Sequence, residues 1–201
     1  MGVREARKAA TRLRVLDSAR QLFEEVGYEA ATIPQIARRA GVSVGSVFTG
    51  FTSKSDVLAE VFRCRLDELY ADLERVTPHL RGSTADRCRS LFAVHYAFEF
   101  SRLRLFLAHI SVSFEFQETP CHAVMGSNPR LRGMVRGCLG EGVARGDVRP
   151  DVDLELAVDM LVGAYAWNYR LAAAEGADAG HLTALFDRQV GLMFQGLSPA
   201  C

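Results

Sequence analysis

The sequence predicts an all-α protein, and three observations point to that class. Apolar residues recur every three or four positions in nearly every segment, which is the spacing of one face of a helix. Residues that favour helix starts precede these segments, and glycine or proline follows many of them. No run alternates apolar and polar residues cleanly enough to indicate a strand.

A first helix is predicted to end at Gly27, and two short helices follow it. Thr32 begins the second helix with a capping box, and Gly41 ends it. Ser43 caps a still shorter third helix that runs to about Phe48. The tight turn between the second and third helices gives this stretch the layout of a helix-turn-helix.

The rest of the chain begins with a long helix that opens at Ser53 and ends at Pro78, because the residue before a proline is pushed out of the helical region. The same periodicity continues to the end of the sequence. It predicts five further helices, near residues 83–100, 102–114, 129–145, 153–175 and 179–196.

Composition and charge exclude several classes of protein. The 24 Lys and Arg residues are balanced by 24 Asp and Glu residues, which argues against coating nucleic acid or membrane through bulk charge. The longest uncharged apolar stretch near mid-chain, Leu105 to Phe114, is too short for a membrane helix of about 20 residues. We therefore expect a cytoplasmic protein with no membrane partner. The five cysteines form no C-x-x-C pair, so we expect no metal site and no cofactor.

The segment from residue 32 to residue 58 contains the residues that most clearly indicate a binding function. In a helix-turn-helix the second helix lies in the DNA major groove, and here it is made of short side chains that let the backbone approach closely. A valine can touch a thymine methyl group, and a serine or threonine can hydrogen-bond a base edge or a phosphate. The groove-facing positions are Ser43, Val44, Gly45, Ser46 and Thr49.

This segment resembles the DNA-binding domain of TetR-family transcriptional repressors. The residues that carry the resemblance are Thr32, Ile36, Ala37, Ala40, Gly41, Val42, Ser43, Phe48, Phe51 and Lys54. It implies an N-terminal three-helix helix-turn-helix domain in residues 1–53 and a C-terminal helical effector-binding and dimerisation domain in residues 54–201. The DNA-binding residues that it implies are Thr32, Ser43, Val44, Gly45, Ser46, Phe48, Thr49 and Lys54.

The resemblance also implies a function. We expect a ligand-responsive repressor, not an enzyme, that binds a palindromic operator in double-stranded DNA as a homodimer and is released by a small lipophilic or aromatic effector. Two alternatives remain open at this point. One is an all-α small-molecule-binding protein or enzyme with no role on DNA, and the other is a DNA binder that responds to no effector.

The sequence departs from the family pattern at three positions of the predicted interface. The family usually has a tyrosine at Phe48, often a polar residue at Gly50 and often a basic residue at Val44. Residues 1–55 nevertheless carry nine basic and five acidic side chains. The basic N-terminus could supply phosphate contacts in compensation, or it could be a solvated, disordered tail.

The resemblance places an effector pocket among the middle helices and a dimer interface on the last two. The pocket candidates are mostly aromatic and could equally be plain core: Phe92, His95, Tyr96, Glu99, Phe106, His109, Phe114 and Trp167. The interface candidates lie on apolar stripes that could instead close an internal core: Leu161, Tyr165, Asn168, Leu182, Phe186, Gln189, Val190 and Met193.

A series of glycines interrupts one of the predicted helices. Gly133, Gly137 and Gly140 share a face, and each costs about 1 kcal/mol of helix stability relative to alanine. Either a close helix crossing or a deformable helix would explain them.

Overall fold

The computed structural model describes residues 2–113 and 128–197, and over these ranges the regular structure is helical, with no strand. The helices are α1 (Val3–Val26), α2 (Ile33–Ala40), α3 (Val44–Phe48), α4 (Lys54–Val76), α5 (Thr84–Phe100), α6 (Leu103–Ser113), α7 (Pro129–Arg145), α8 (Leu154–Glu175) and α9 (Ala179–Leu197), with a 3-10 turn at Thr77–His79. The predicted all-α class and the order of the helices are confirmed.

The chain packs into two compact units. We call the one drawn from Met1–Asp67 and Arg102–Ala123 the N-terminal unit, and the one drawn from Glu68–Ser101 and Val124–Cys201 the C-terminal unit. Residues of α4 therefore belong to both. The domain boundary between residues 53 and 54 stays a prediction.

The N-terminal unit is ordered by the caps that the sequence predicts. Thr32 and Gln35 form the expected reciprocal capping box at the start of α2. Gly41 ends α2 with φ 65°, a left-handed conformation that glycine adopts without the steric cost of a Cβ atom. Ser43 then accepts a hydrogen bond from the Ser46 backbone N–H and so begins α3. These caps fix the turn between α2 and α3.

A small apolar core holds the first three helices of this unit together. Phe23 of α1, Ile36 and Ala37 of α2, and Val47 of α3 are all buried. Because Ala37 has a small side chain, α2 can pack closely against its neighbours. The short helix α3 is thus anchored through one valine, and its other residues are free to face outward.

The C-terminal unit is built from α5, α7, α8 and α9 around a core of aromatic rings. Phe92 of α5 meets Phe186 of α9 with ring centroids 4.5 Å apart. Tyr96, one turn further along α5, lies 5.0 Å from the ring of Tyr165 on α8. These separations are typical of tilted aromatic pairs, which stabilise a core beyond the area they bury.

The glycines of α7 prove to be of two kinds. A Cβ atom built on Gly133, Gly137 or Gly140 would meet nothing within 4 Å beyond the nearby backbone of its own helix in the described ranges, so a close helix crossing within the chain does not explain these three. Gly142 is different, because a Cβ there would collide with Thr84 Oγ1 and lie 2.8 Å from a methyl carbon of Val148. The close approach of α7 to α5 is therefore at Gly142.

We expect Gly142→Ala to destabilise the protein and Gly137→Ala to stabilise it. Thr84 cannot move aside easily, because its hydroxyl is bonded to both Asp147 and Arg145 at 2.9 and 2.8 Å. Overpacking of this kind costs about 1–3 kcal/mol, whereas an open helical Gly→Ala change gains up to about 1 kcal/mol. Urea unfolding of the two variants measures both changes in stability. Equal changes at the two sites would contradict the assignment of the close helix approach to Gly142.

Candidate nucleic-acid interface and buried polar cluster

Helix α3 presents almost all of its surface to solvent. Val47 is its buried residue, while Val44 and Phe48 are exposed apolar side chains, and 53% of Phe48 is accessible. A Cβ built on Gly45 would find only the Ser43 hydroxyl at 3.9 Å, so the helix backbone there is open to a close approach. An exposed helix with small and apolar side chains fits a surface that meets another molecule.

Several of the predicted DNA-binding hydroxyl groups already take part in hydrogen bonds at or near helix ends. Ser43 Oγ and Ser46 Oγ share one hydrogen bond of 2.8 Å, so one of their two hydroxyl hydrogens remains to donate elsewhere. Thr49 donates its hydroxyl to Gly45 O at 3.0 Å, and Thr32 donates its own to Gln35 Oε1 at 2.8 Å. In this conformation the Ser43–Ser46 pair is the better donor to a phosphate.

Lys54 makes contacts within the protein that the family resemblance did not imply. Its ammonium group donates to the carbonyls of Tyr28, Glu29 and Ala31 at 2.8, 3.3 and 3.1 Å. Its nitrogen also lies 4.2 Å from the centre of the Tyr28 ring. An ammonium has three hydrogens to donate, and here all three are directed into the protein. In this conformation Lys54 fixes the turn between α1 and α2, and the DNA phosphate contact at Lys54 stays a prediction.

The basic N-terminus is helical in this structure and not a disordered tail, because α1 begins at Val3. Its exposed side chains include Arg4, Arg7 and Lys8. A cleft of about 420 Å³ opens beside it and joins this basic stretch to the end of α3. The cleft is lined by Lys8, Thr11, Arg12, Val15, Ser46, Thr49, Gly50 and Phe51.

Arg12 is the residue that ties this cleft together, and the sequence pattern did not single it out. Its guanidinium donates to Gly50 O at 2.7 Å, pairs with Glu60 at 2.9 Å and lies 4.3 Å from the centre of the Phe51 ring. It thereby connects α1, the turn after α3, and α4. The helical spacing of Lys8 and Arg12 was the only available signal, since the contact with Gly50 spans 38 residues.

We expect a pH-dependent contribution to stability from Glu60. Hydrogen bonds from Arg63 and from Arg12 lower the pKa of this carboxyl from 4.5 to about 2. Because the folded-state pKa lies below the unfolded one, the stabilisation is present above about pH 4.5 and is lost as the pH falls towards 2. Glu60→Gln should therefore be less stable than the wild type at pH 7, with a difference that shrinks steadily below pH 4.5. Thermal unfolding of the two proteins between pH 7 and pH 2 measures this difference. A difference in stability that stayed constant with pH would contradict the prediction.

The C-terminal unit contains a buried polar cluster among its aromatic rings. Asn168 donates to the Tyr96 hydroxyl at 3.1 Å and to Gln189 Oε1 at 2.8 Å, and Gln189 donates back to Asn168 at 3.1 Å. Tyr96 in turn donates to Tyr165 O at 3.2 Å. These groups satisfy one another, which is what a buried polar network requires for stability.

His95 is the exception in this cluster. The side chain is 1% exposed, yet its Nε2 atom has no hydrogen-bond partner among the residues that the structure describes. The rings of Tyr70, Phe92 and Tyr165 surround it at centroid distances of 5.5, 6.4 and 5.7 Å. Burial lowers the pKa of His95 from 6.5 to about 3, so the imidazole is neutral at ordinary pH.

The structure distributes the predicted effector residues unevenly. Phe92, His95, Tyr96 and Glu99 are buried together on α5. Phe106 and His109 belong to the N-terminal unit, where they pack on Phe62 at 5.7 and 3.9 Å between ring centroids. Trp167 is 66% exposed and lies under Arg170, so its assignment to a pocket wall is corrected. Phe114 lies outside the described residues.

The predicted dimer interface is also corrected. Most of its members are buried inside their own chain: Leu161, Tyr165, Asn168, Leu182, Phe186 and Val190. Gln189 is half-buried in its amide pair with Asn168. The apolar stripes of α8 and α9 therefore close the internal core, which was the alternative that the sequence left open. Leu161 and Met193 also line an open groove.

A second apolar surface lies on the other side of α8 and α9. We call it the outer strip, and its members are Leu156, Met160, Trp167 and Leu192, which are exposed by 56, 49, 66 and 72%. A groove of about 240 Å³ runs beside Leu156 and Met160 and is completed by Met193 and Leu197. Exposed apolar side chains of this size on one pair of helices are typical of a protein-binding surface.

None of the helices in the described ranges is both long enough and apolar enough to span a lipid bilayer.

Comparison with known proteins identifies the class of this arrangement. A family model described as "Bacterial regulatory proteins, tetR family" matches residues 15–61, which include α2 and α3. The HTH-type transcriptional repressor KstR2 of Rhodococcus jostii is 30% identical over 162 residues, which cover 77% of this chain and 76% of the repressor. The fatty acid metabolism regulator protein of Bacillus subtilis is 22% identical over 154 residues, 75% of this chain and 77% of that protein.

Solved structures show the same fold. Thermus thermophilus FadR, a TetR-family repressor in complex with lauroyl-CoA, superposes with a TM-score of 0.76 at 23% identity and covers 94% of this chain and 96% of its own. The protein is thus a helix-turn-helix DNA-binding regulator of transcription and not a protein of unrelated all-α class. The chain belongs to the TetR family.

Proposed function

We propose that this chain is a repressor that binds a palindromic operator as a homodimer and leaves it when an acyl-CoA binds. The observation that carries the DNA-binding part is the exposure of α3, which is held by Val47 alone and turns Val44 and Phe48 outward. The relatives are transcriptional regulators, which supports a regulatory rather than an enzymatic role. A cytoplasmic location fits this activity.

The DNA contacts that we propose divide into two kinds. Val44 and Gly45 face the major groove, where the valine side chain favours a thymine methyl group and the glycine lets the helix approach the base edges. The cleft between α1 and α3 takes a backbone phosphate, because Lys8 is exposed there beside the Ser46 hydroxyl. Phe48 lacks a hydroxyl for such a phosphate, so the α1 side of the cleft carries more of the backbone contact.

The homodimer that we propose forms through the outer strip. Two copies related by a two-fold axis would bury Leu156, Met160 and Trp167 of each chain against the same surface of the other. Two recognition helices would then meet DNA about one helical turn apart, roughly 34–36 Å, which requires a palindromic or nearly palindromic site.

The proposed effector class rests on similarity and on the character of the C-terminal unit. Bacillus subtilis FadR, solved with stearoyl-CoA, has the same fold with a TM-score of 0.71 at 20% identity. In this chain the corresponding class of ligand would find aromatic walls and a few buried polar groups, as in the cluster around His95. Effector binding must favour a conformation unsuited to the operator, since a ligand shifts only states that it binds unequally.

The test is a titration of the purified protein onto its own promoter region at 50 and 200 mM salt, with and without lauroyl-CoA. We expect affinity to fall at least tenfold over this salt range, because phosphate contacts release counterions. We expect lauroyl-CoA, but not coenzyme A alone, to release the DNA. Affinity that is flat with salt would overturn the DNA-binding proposal. DNA binding unaffected by acyl-CoA would instead indicate an effector-independent binder.

A further inference from the structure

His95 has an unused hydrogen-bonding atom inside the C-terminal unit. Its Nε2 atom is buried and has no partner in the described part of the chain, whereas the neighbouring Asn168 and Tyr96 are bonded to each other. A purely structural role at this position would be better served by an apolar side chain, since an unsatisfied buried polar atom destabilises a fold. The atom is therefore available to a group that is not part of the unit.

The surroundings of His95 limit what that group can be. Aromatic rings of Tyr70, Phe92 and Tyr165 enclose the imidazole, so the rest of the incoming molecule must be lipophilic. Glu99 lies one turn further along the same helix and is also buried. Burial chiefly raises the pKa of the Tyr70 hydroxyl, which indicates that water is largely excluded from this region.

A carboxylate or phosphate is disfavoured in such a place. The neutral imidazole offers no positive charge to offset the desolvation of an anion brought into these buried, apolar surroundings. An uncharged oxygen avoids this penalty, because it needs only a hydrogen bond.

We propose that His95 Nε2 hydrogen-bonds the thioester carbonyl of an acyl-CoA, and that this bond lets the protein distinguish the thioester from the free fatty acid. The inference rests on the proposed function and names the group that its effector presents to this residue. In this arrangement the acyl chain lies against the aromatic rings, and the anionic part of coenzyme A stays outside the buried cluster.

The experiment compares three ligands by calorimetric titration of the full chain: lauroyl-CoA, the thioether S-dodecyl-CoA, which lacks the carbonyl, and laurate. We expect the wild type to bind lauroyl-CoA about tenfold more tightly than the thioether, as one buried hydrogen bond provides, and to bind laurate weakly. His95→Leu should remove the preference for the carbonyl, and His95→Gln, which keeps a hydrogen-bonding group, should restore part of it. His181→Leu, the same change at an exposed histidine of α9, is the matched control and should keep the wild-type ratio.

Thermal unfolding without ligand separates a binding role from a packing role. We expect the midpoint of His95→Leu to equal or exceed that of the wild type, because the change removes an unsatisfied atom. A lower midpoint together with an unchanged ligand ratio would make His95 a structural residue and overturn the inference. An equal preference for the carbonyl in wild type and His95→Leu would also overturn it while leaving the proposed function intact. A wild type that binds neither CoA compound would overturn both.

Discussion

Lys54→Ala should lower the free energy of unfolding by about 2–3 kcal/mol and weaken binding to every DNA sequence alike. The ammonium group is bonded to the carbonyls of Tyr28, Glu29 and Ala31, and truncation would leave the part-buried carbonyls of Tyr28 and Ala31 without that charged donor. Hydrogen bonds to charged groups contribute about 1.5–3 kcal/mol each, and neighbouring bonds do not add fully. The turn between α1 and α2 would loosen, and with it the placement of α3. Urea unfolding and an operator titration on the same preparation measure the two effects.

Lys8→Ala is the matched control, because it removes the same side chain from an exposed position of the cleft beside α3. It should leave the free energy of unfolding unchanged and reduce operator affinity. The plot of log affinity against log salt concentration should become shallower by about one unit, because one phosphate contact is lost. If instead Lys54→Ala were fully stable and lost only its salt slope, the lysine would be a phosphate contact and the assignment from the structure would fail.

The contrast between these two lysines shows what the sequence could specify. The caps at Thr32, Ser43 and Ser83 were predictable, because each depends on residues within four positions of one another. The direction of Lys54 was not predictable from a motif, since its carbonyl partners lie 23 to 26 residues away and are backbone atoms that any sequence would supply. The contacts of Arg12 could not be predicted from the sequence for the same reason.

The apolar stripes of α8 and α9 illustrate a second limit. Both faces of α8 carry large apolar residues, so periodicity located the helix but could not say which face meets the chain's own core. The aromatic contacts of Tyr165 with Phe92 and Tyr96 show that the face of α8 bearing Tyr165 packs against the core. Leu156, Met160 and Trp167 are left on the outside, which only three-dimensional packing could reveal.

Met160→Arg should convert the proposed dimer into a folded monomer and reduce operator affinity at least a hundredfold. The side chain is 49% exposed in the single chain, so an arginine there can extend into solvent without disturbing the core. In a two-fold dimer each substitution occurs twice, and like charges would face one another across a desolvated surface, which costs several kcal/mol. A monomer also loses the roughly 10²–10⁴-fold advantage of holding two half-sites at once. Sedimentation equilibrium at micromolar concentration and an operator titration measure these results.

Two further variants show whether the outer strip, and not α8 in general, forms the interface. Val94→Arg places the same charge on an exposed apolar position of α5 and should leave the oligomeric state unchanged. Leu161→Ala truncates a fully buried side chain next to Met160 and should lower the free energy of unfolding by about 2–5 kcal/mol. A Met160→Arg protein that remains dimeric would place the interface elsewhere. If Leu161→Ala dissociated the dimer without lowering the free energy of unfolding, the interface would lie on the inner face of α8. The burial of that face argues against this outcome.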